Sequence, residues 1–180
     1  MKWLILFAFF LIIVATEAQY CPVKYINTDG FIRLGSYNGT NSDCKTYAKT
    51  YYLSALYKEK WYKAKDHCEM KGMEFLTLDT LDESNYFMQL FNADRTIISD
   101  WVYIGGVSTL SKSLDHWYWL DLGERLNFQP SFAPGQPSGT HISGVLEYCL
   151  SVGKVSGSAY YNDIRCNGLD YNFLCQTRDS

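Results

Sequence analysis

The sequence predicts an α+β domain in which two helices come early and a loop-rich antiparallel sheet follows. Before residue 100, apolar side chains recur at helical spacing in two segments, whereas beyond it short aromatic runs alternate with long polar loops. The chain has 6 cysteines, an even number, and lacks the CxxC pairs that cysteine-bound metals prefer. We therefore expect one disulfide-stabilised domain. Six cysteines allow 15 pairings, and spacing alone does not choose among them.

Residues 1–18, MKWLILFAFFLIIVATEA, have the pattern of a secretory signal peptide. Lys2 precedes an apolar stretch from Trp3 to Ala15, and the segment ends in small residues at Ala18. This stretch is shorter than the roughly 20 residues that a membrane-spanning helix needs, and no later segment is comparably apolar. We therefore predict a secreted, extracellular protein without a membrane span.

A lead-in, residues 19–47, precedes the main domain. Within it, Asp29-Gly30 predicts a hairpin turn between the short apolar runs YIN and FIRL. The sequon NGT begins at Asn38 in the polar segment YNGTNSD, which is typical of a surface turn. We therefore predict that Asn38 is glycosylated.

The first strand and helix of the main domain follow directly. The aromatic run TYYLSALY, which begins at Thr50, favours a strand. After it, Trp61, Ala64 and Cys68 recur at the spacing of one helix face, and Gly72 ends the run. We therefore expect a strand that leads into a helix.

A second helix is predicted by its amino-terminal signal. Thr80 is followed three residues later by Glu83, which forms the pattern of a capping box. The residues that this helix would present to a core are Tyr86, Phe87, Leu90 and Phe91.

Short aromatic segments beyond residue 100 predict the strands of a sheet. They read WVYIGG, HWYWL, LEYCLSV, SAYYNDIRC and YNFLCQ. The longest polar loop between them contains PGQPSGT, in which Gln136 and Ser138 flank Pro137.

Composition argues against an enzyme and against nucleic-acid binding. The 3 histidines, His67, His116 and His141, stand at no spacing that suits zinc. GxSxG and glycine-rich phosphate loops are missing from the sequence, and its carboxylates are scattered. The formal net charge of -3 does not suit a nucleic-acid surface.

Oxygen-bearing side chains remain as the candidate chemistry. Gln136 and Ser138 lie in the long loop, Glu147 precedes Cys149, and Asn162-Asp163 precede Cys166. Calcium prefers six to eight oxygen ligands of this kind. Taken one at a time, the same residues also fit turns and a solvated strand position.

The order Q-P-x, E-x-C, N-D-x-x-C resembles the C-type lectin-like domain. The resemblance covers nearly the whole of residues 50–177 and defines a main domain over 48–177. TYYLSALYKEKWYKAKDHC is similar to that family's first strand and helix, and VYIGG stands at its W-I-G strand. YNDIRCNGLDYNFLC is similar to its W-N-D-x-x-C ending, with Tyr161 in place of tryptophan. The overall pattern is that of small secreted insect lectins.

The resemblance implies how the cysteines pair. Family pairing joins Cys68 to Cys175 and Cys149 to Cys166. It leaves Cys21 to pair with Cys44 inside the lead-in.

The resemblance also implies one calcium site. Its ligands would be Gln136, Ser138, Glu147, Asn162 and Asp163, and a cis bond between Gln136 and Pro137 would turn both flanking side chains toward one point. Two neighbouring sugar hydroxyls would complete the ion's shell. The segment VSTLSKSLDHW lacks the paired acids of a second calcium position found in some members.

The motif suggests which glycans would bind. In the family, Glu-Pro-Asn accompanies mannose and Gln-Pro-Asp accompanies galactose, so Gln136 favours galactose-type glycans on cell surfaces or microbes. Ser138 replaces a charged or amide ligand, which lowers the expected calcium affinity. His141 is a candidate for stacking on the sugar. The alternative function is a calcium-independent protein-binding module on the same scaffold.

Overall fold

A computed structural model describes residues 26–40, 46–94, 101–109 and 116–179. This part of the chain contains two helices and nine strands, namely β1 (Phe31–Thr40), β2 (Thr46–Ser54), α1 (Trp61–Met70), β3 (Glu74–Phe75), α2 (Leu81–Ala93), β4 (Val102–Ser108), β5 (Trp117–Trp119), β6 (Glu124–Arg125), β7 (Cys149–Val155), β8 (Ser158–Ile164) and β9 (Leu174–Asp179). The predicted signal peptide and the predicted Cys21–Cys44 bond lie outside the described residues.

Two antiparallel sheets organise the fold and confirm the predicted α+β class. The first has the strand order β1-β2-β9-β3, and the second has the order β6-β5-β4-β7-β8. Because β9 pairs with β2, the carboxyl-terminal strand closes against the amino-terminal part of the domain. The second sheet ends at the edge strand β8. Two of the predicted site residues, Asn162 and Asp163, lie near the end of this strand.

The predicted hairpin between YIN and FIRL is wrong. Asp29 and Gly30 do form a turn, but residues 26–28 form no strand. The strand after the turn, β1, pairs instead with β2, from Phe31 opposite Ser54 to Thr40 opposite Thr46. This long ladder satisfies far more backbone groups than a three-residue run could, which explains the outcome. The boundary drawn between residues 47 and 48 falls inside β2.

The predicted glycosylation site lies on the surface. Asn38 is exposed, but it is part of β1 and not of a turn. Since β1 is an edge strand of its sheet, the side chain stands at the margin of the domain. Glycosylation of Asn38 stays a prediction.

Helix α1 forms as predicted. Trp61, Ala64 and Cys68 are fully buried on one face. The indole nitrogen of Trp61 donates to the carbonyl of Ile104 at 2.7 Å, which ties α1 to β4. Gly72 follows the helix with φ of +77°, a conformation that favours glycine at a helix end.

Helix α2 also forms as predicted, with one difference at its start. The Thr80 hydroxyl accepts the N–H of Glu83 at 3.1 Å, as in a capping box. The Glu83 carboxylate, however, accepts the N–H of Asp79 and does not close on Thr80. Phe87 and Phe91 enter the core fully, whereas the predicted core residues Tyr86 and Leu90 are only partly buried.

A buried ion network explains why Glu83 turns inward. The Lys49 ammonium, fully buried, lies 2.7 Å from Asp79 and 2.9 Å from Glu83. The hydroxyls of Tyr47 and Tyr51 each donate to Glu83 at 2.9 Å. Burial raises the pKa of both tyrosines, and the charge of Glu83 adds to the effect, so they remain donors at neutral pH.

Two disulfides confirm the pairing that the resemblance implied. Cys68 of α1 joins Cys175 of β9, and Cys149 at the start of β7 joins Cys166 just past β8. The second bond closes one end of the β7–β8 hairpin. It therefore fixes the chain on both sides of the candidate site.

Candidate functional site

A single cavity of about 340 Å³ brings all the predicted site residues together. It lies where the long loop before β7 meets the end of β8. The predicted residues that line it are Gln136, Ser138, His141, Glu147, Asn162 and Asp163.

Backbone pairing explains how residues so far apart in sequence meet. Leu150 of β7 stands opposite Asp163 of β8, so Glu147, three residues before Leu150, lies near the end of β8. The long loop runs along the free edge of β8, because the N–H of Ala133 donates to Tyr161 at 2.9 Å. The N–H of Tyr161 in turn donates to Ser131 at 3.0 Å. The loop is thus held against the sheet just before Gln136.

The proline turn is closed by its own side chains. The Gln136–Pro137 bond is cis, as the resemblance implied. The Gln136 side-chain oxygen accepts the N–H of Ser138 at 2.7 Å. The Ser138 hydroxyl lies 2.9 Å from a carboxylate oxygen of Glu147 and 3.2 Å from the Thr140 carbonyl, and it donates toward them.

Asp163 anchors the turn to the sheet. Its two oxygens accept the N–H of Ser138 at 3.0 Å and the N–H of Gly139 at 2.6 Å. Burial raises the pKa of Asp163, and these two backbone donors oppose the shift. Each oxygen still has a lone pair left for a further partner.

Glu147 is the second acid of the site and is only 7% exposed. Burial raises its pKa, the Ser138 hydroxyl opposes this, and the nearby charge of Asp163 adds to it. Two buried carboxylates with raised pKa values favour either a proton or a cation between them.

Asn162 provides the most direct sign of a ligand. The residue is 5% exposed, and its side-chain oxygen has no hydrogen-bond partner within the described ranges. A buried amide oxygen without a partner is rare and costs free energy. A cation or a sugar hydroxyl in the cavity would satisfy it.

These residues fit calcium better than a transition metal. Across the part of the chain that the structure describes, no group of three or more His, Cys, Asp and Glu side chains is arranged to hold a metal. The site has two carboxylates, and its other donors are amide and hydroxyl oxygens, which suit a hard cation. Much of VSTLSKSLDHW, residues 110–115, lies outside the described residues.

The cavity contains His141, the predicted stacking residue, and also residues that the sequence did not single out. His141 lines it, and the Nδ1 atom of His141 accepts the N–H of Ser143 at 3.2 Å, which holds the ring within its own turn. Trp101, Ile164 and Tyr171 form an apolar wall. Their sequence pattern is that of core residues, so no local signal marks them as part of a site.

Comparison with known proteins identifies the fold. Neither a protein-family model nor a curated protein sequence matches the chain, but solved structures do. The carbohydrate-recognition domain of the mouse scavenger receptor C-type lectin is 26% identical, with a TM-score of 0.54 over 73% of this chain and 92% of its own. The C-type lectin domain of murine dendritic cell inhibitory receptor 2, in complex with N-glycan, is 18% identical, with a TM-score of 0.56 over 73% and 91%. Herring type II antifreeze protein is 20% identical, with a TM-score of 0.53 over 73% and 92%.

The chain folds as a C-type lectin-like domain. Such domains are non-enzymatic modules that bind carbohydrate or protein, which agrees with the prediction that this protein is not an enzyme. The fold supports a lectin-like carbohydrate-binding module. Among the described residues, no helix has the length and apolar character needed to cross a membrane.

Proposed function

We propose that the protein is a secreted, calcium-dependent carbohydrate-binding protein with a preference for galactose-type glycans. The observation that carries this proposal is the buried, unpartnered side-chain oxygen of Asn162, a residue that lines one cavity together with two buried carboxylates. A site whose buried polar atoms all found hydrogen-bond partners within the protein would leave no such oxygen. Secretion is supported by the signal-peptide pattern and by the two disulfides.

Five side chains would hold the ion: Gln136, Ser138, Glu147, Asn162 and Asp163. When bound, calcium would supply open coordination positions for two neighbouring sugar hydroxyls. The protein's own part is to orient the sugar, because amide groups donate or accept hydrogen bonds where carboxylates only accept. The hydrogen bonds among Gln136, Ser138 and Asp163 already hold the turn in place before any ligand arrives.

The galactose preference follows from the amide at Gln136. An amide before the proline can donate a hydrogen bond where the glutamate of a mannose-type motif only accepts, and the hydroxyl of Ser138 stands at the other flank. Glycans on cell surfaces or microbes are the proposed partners. Two similar structures support a carbohydrate ligand, since one is a carbohydrate-recognition domain and another holds an N-glycan.

Calorimetric titration with calcium tests the proposal, followed by retention on galactose and mannose columns. We expect one calcium per chain, and retention on the galactose column that a chelator releases. Absence of both calcium heat and retention would contradict the proposal.

One observation favours the alternative of a calcium-independent protein-binding module. The Ser138 hydroxyl already donates to Glu147, and the Asp163 carboxylate already accepts the backbone N–H of Ser138, so the loop is closed by its own hydrogen bonds. A similar fold also occurs in an antifreeze protein, so the fold is not confined to proteins that are named as lectins. If the alternative holds, the titration would show no calcium binding and the glycan columns would not retain the protein. The domain would remain folded in chelator.

Replacing Ser138 by aspartate should strengthen calcium binding by about tenfold, because it adds an anionic ligand. The same change removes the hydroxyl donor to Glu147 and places two carboxylates side by side. We therefore expect a lower Tm in chelator and a larger rise of Tm on adding calcium. Ser138→Ala is the control and should weaken calcium binding. Unchanged calcium affinity in Ser138→Asp would show that this side chain does not face the ion.

Calcium affinity should fall as the pH drops from 7 to 5. The pKa values of Glu147 and Asp163 are raised by burial, so protons compete with calcium at a higher pH than for ordinary carboxyl groups. Without calcium, the raised pKa values favour folding at pH below the ordinary carboxyl pKa, and this contribution is lost as the pH rises through the raised values. Calorimetry in two buffers of different ionisation enthalpy should detect proton release on binding. A constant affinity over this range would contradict the prediction.

A further inference from the structure

We propose that Trp101 and Tyr171 form an aromatic subsite for the ring attached to the calcium-held sugar. This inference rests on the proposed function and names the wider ligand: a glycoside whose linked sugar or aglycone offers an apolar face. Both side chains line the same cavity as Asn162, whose buried side-chain oxygen is unpartnered within the described residues. The cavity is therefore lined by both oxygen-bearing and aromatic side chains, which is the pattern of a site for an amphipathic small molecule.

The indole of Trp101 is held against the sheet. Trp101 directly precedes β4, and its ring lies beside Gly153 of β7. A Cβ atom on Gly153 would stand only 2.4 Å from Cε3 of the indole, so glycine is what lets the ring lie this close. The ring is half-buried, whereas Trp61, Trp117 and Trp119 are buried. Trp101 is thus both anchored and accessible.

Tyr171 is anchored just as firmly. Its backbone exchanges two hydrogen bonds with Glu59, at 2.9 and 3.0 Å. Its ring packs edge-on against Tyr103, with centroids 5.3 Å apart and an interplanar angle of 87°. Because Tyr171 is also half-buried, part of its surface is left to face the cavity.

A sugar ring suits a cavity that is lined by both oxygen-bearing and aromatic side chains. Hydroxyls at one edge of a pyranose would meet the oxygen-bearing side chains of the cavity, whereas the C–H groups of a linked ring would contact the aromatic side chains. Aromatic side chains offer large apolar faces at little conformational cost, and ring contacts add to burial alone. A glycoside with a second ring should therefore bind more tightly than one that carries only a methyl group.

The test compares phenyl β-galactoside with methyl β-galactoside by calorimetry in calcium, or the mannose pair if the columns select mannose. The wild type should bind the phenyl glycoside about 2- to 10-fold more tightly. Trp101→Ala should bring this ratio to about 1 while calcium affinity stays the same, and Trp101→Phe should keep part of it. Tyr62→Ala, which removes an exposed aromatic of α1, is the control and should leave the ratio unchanged.

Gly153→Ala is a second route to the same question, because its Cβ would displace the indole without removing it. It should also lower the phenyl preference, and this result counts if Trp101→Ala does not fold. A wild-type ratio near 1, or a ratio that survives both substitutions, would overturn the subsite while calcium and methyl glycoside still bind. Failure of the proposed function is different, since neither calcium nor either glycoside would then bind.

Discussion

Replacing Glu147 by glutamine is expected to weaken calcium binding by at least about tenfold and to abolish retention on glycan columns. The substitution keeps the size of the side chain and an oxygen for the Ser138 hydroxyl, which lies 2.9 Å from the carboxylate. It removes one of the two negative charges in the cavity. Calcium titration of the variant and of the wild type measures the effect directly.

The same variant should remain folded. Burial already raises the pKa of Glu147, so the charged form is unfavourable in the calcium-free protein and its removal should not lower the Tm in chelator. Glu124→Gln, at an exposed position of β6, is the matched control and should bind calcium like the wild type. Normal calcium affinity in Glu147→Gln would remove this residue from the ligand set.

Replacing Lys49 by methionine is expected to lower the free energy of unfolding by about 3–5 kcal/mol. The ammonium is fully buried between Asp79 and Glu83, and it also donates to the Thr77 carbonyl at 3.0 Å. Without it, Glu83 becomes a buried carboxylate that has lost the ammonium 2.9 Å away. Denaturant unfolding of wild type and variant gives the difference.

Two further variants distinguish loss of the Lys49–Glu83 ion pair from a general loss of stability on removing a lysine. Lys49→Met combined with Glu83→Gln should recover much of the lost stability, because the unpaired charge is gone. Lys60→Met removes an exposed lysine that lies 3.5 Å from Asp170, and it should cost no more than about 1 kcal/mol. Equal losses in Lys49→Met and Lys60→Met would contradict the role of the buried network.

Asp79, the second acid of this network, is held in its charged form by two cations. Burial acts to raise its pKa, but Lys49 and Arg178 outweigh this and hold the pKa below the ordinary value. The Arg178 guanidinium fixes the carboxylate from the β9 side, through one hydrogen bond at 2.9 Å and a second ion-pair contact at 2.8 Å. Asp79 therefore stays charged, and its stabilising contribution is lost only as the pH falls through its lowered pKa.

The helices could be predicted from the sequence because their signals are local. The spacing of Trp61, Ala64 and Cys68 and the cap at Thr80 each lie within a single element. The inward turn of Glu83 could not be predicted, since its partner Lys49 lies on another element. The mistaken hairpin has the same origin, because which strands pair depends on the competing partners available in the whole fold.

The residues of the candidate site also divide into those that could be predicted from the sequence and those that could not. Gln136, Ser138, Glu147, Asn162 and Asp163 could be named because a resemblance joined three short motifs, and the structure places all five on one cavity. Trp101 and Tyr171 could not be named. Each sits in an aromatic run that is typical of core, and only the folded chain shows that they share a cavity with the polar residues.

A crystal structure of the protein grown in calcium tests the central claim most directly. We expect one calcium peak in the cavity, with side-chain oxygens of Asn162, Glu147 and Asp163 at about 2.3–2.6 Å from it. Gln136 and Ser138 should supply the neighbouring oxygens. An empty cavity at saturating calcium, with the Asn162 oxygen facing only water, would contradict the proposed site.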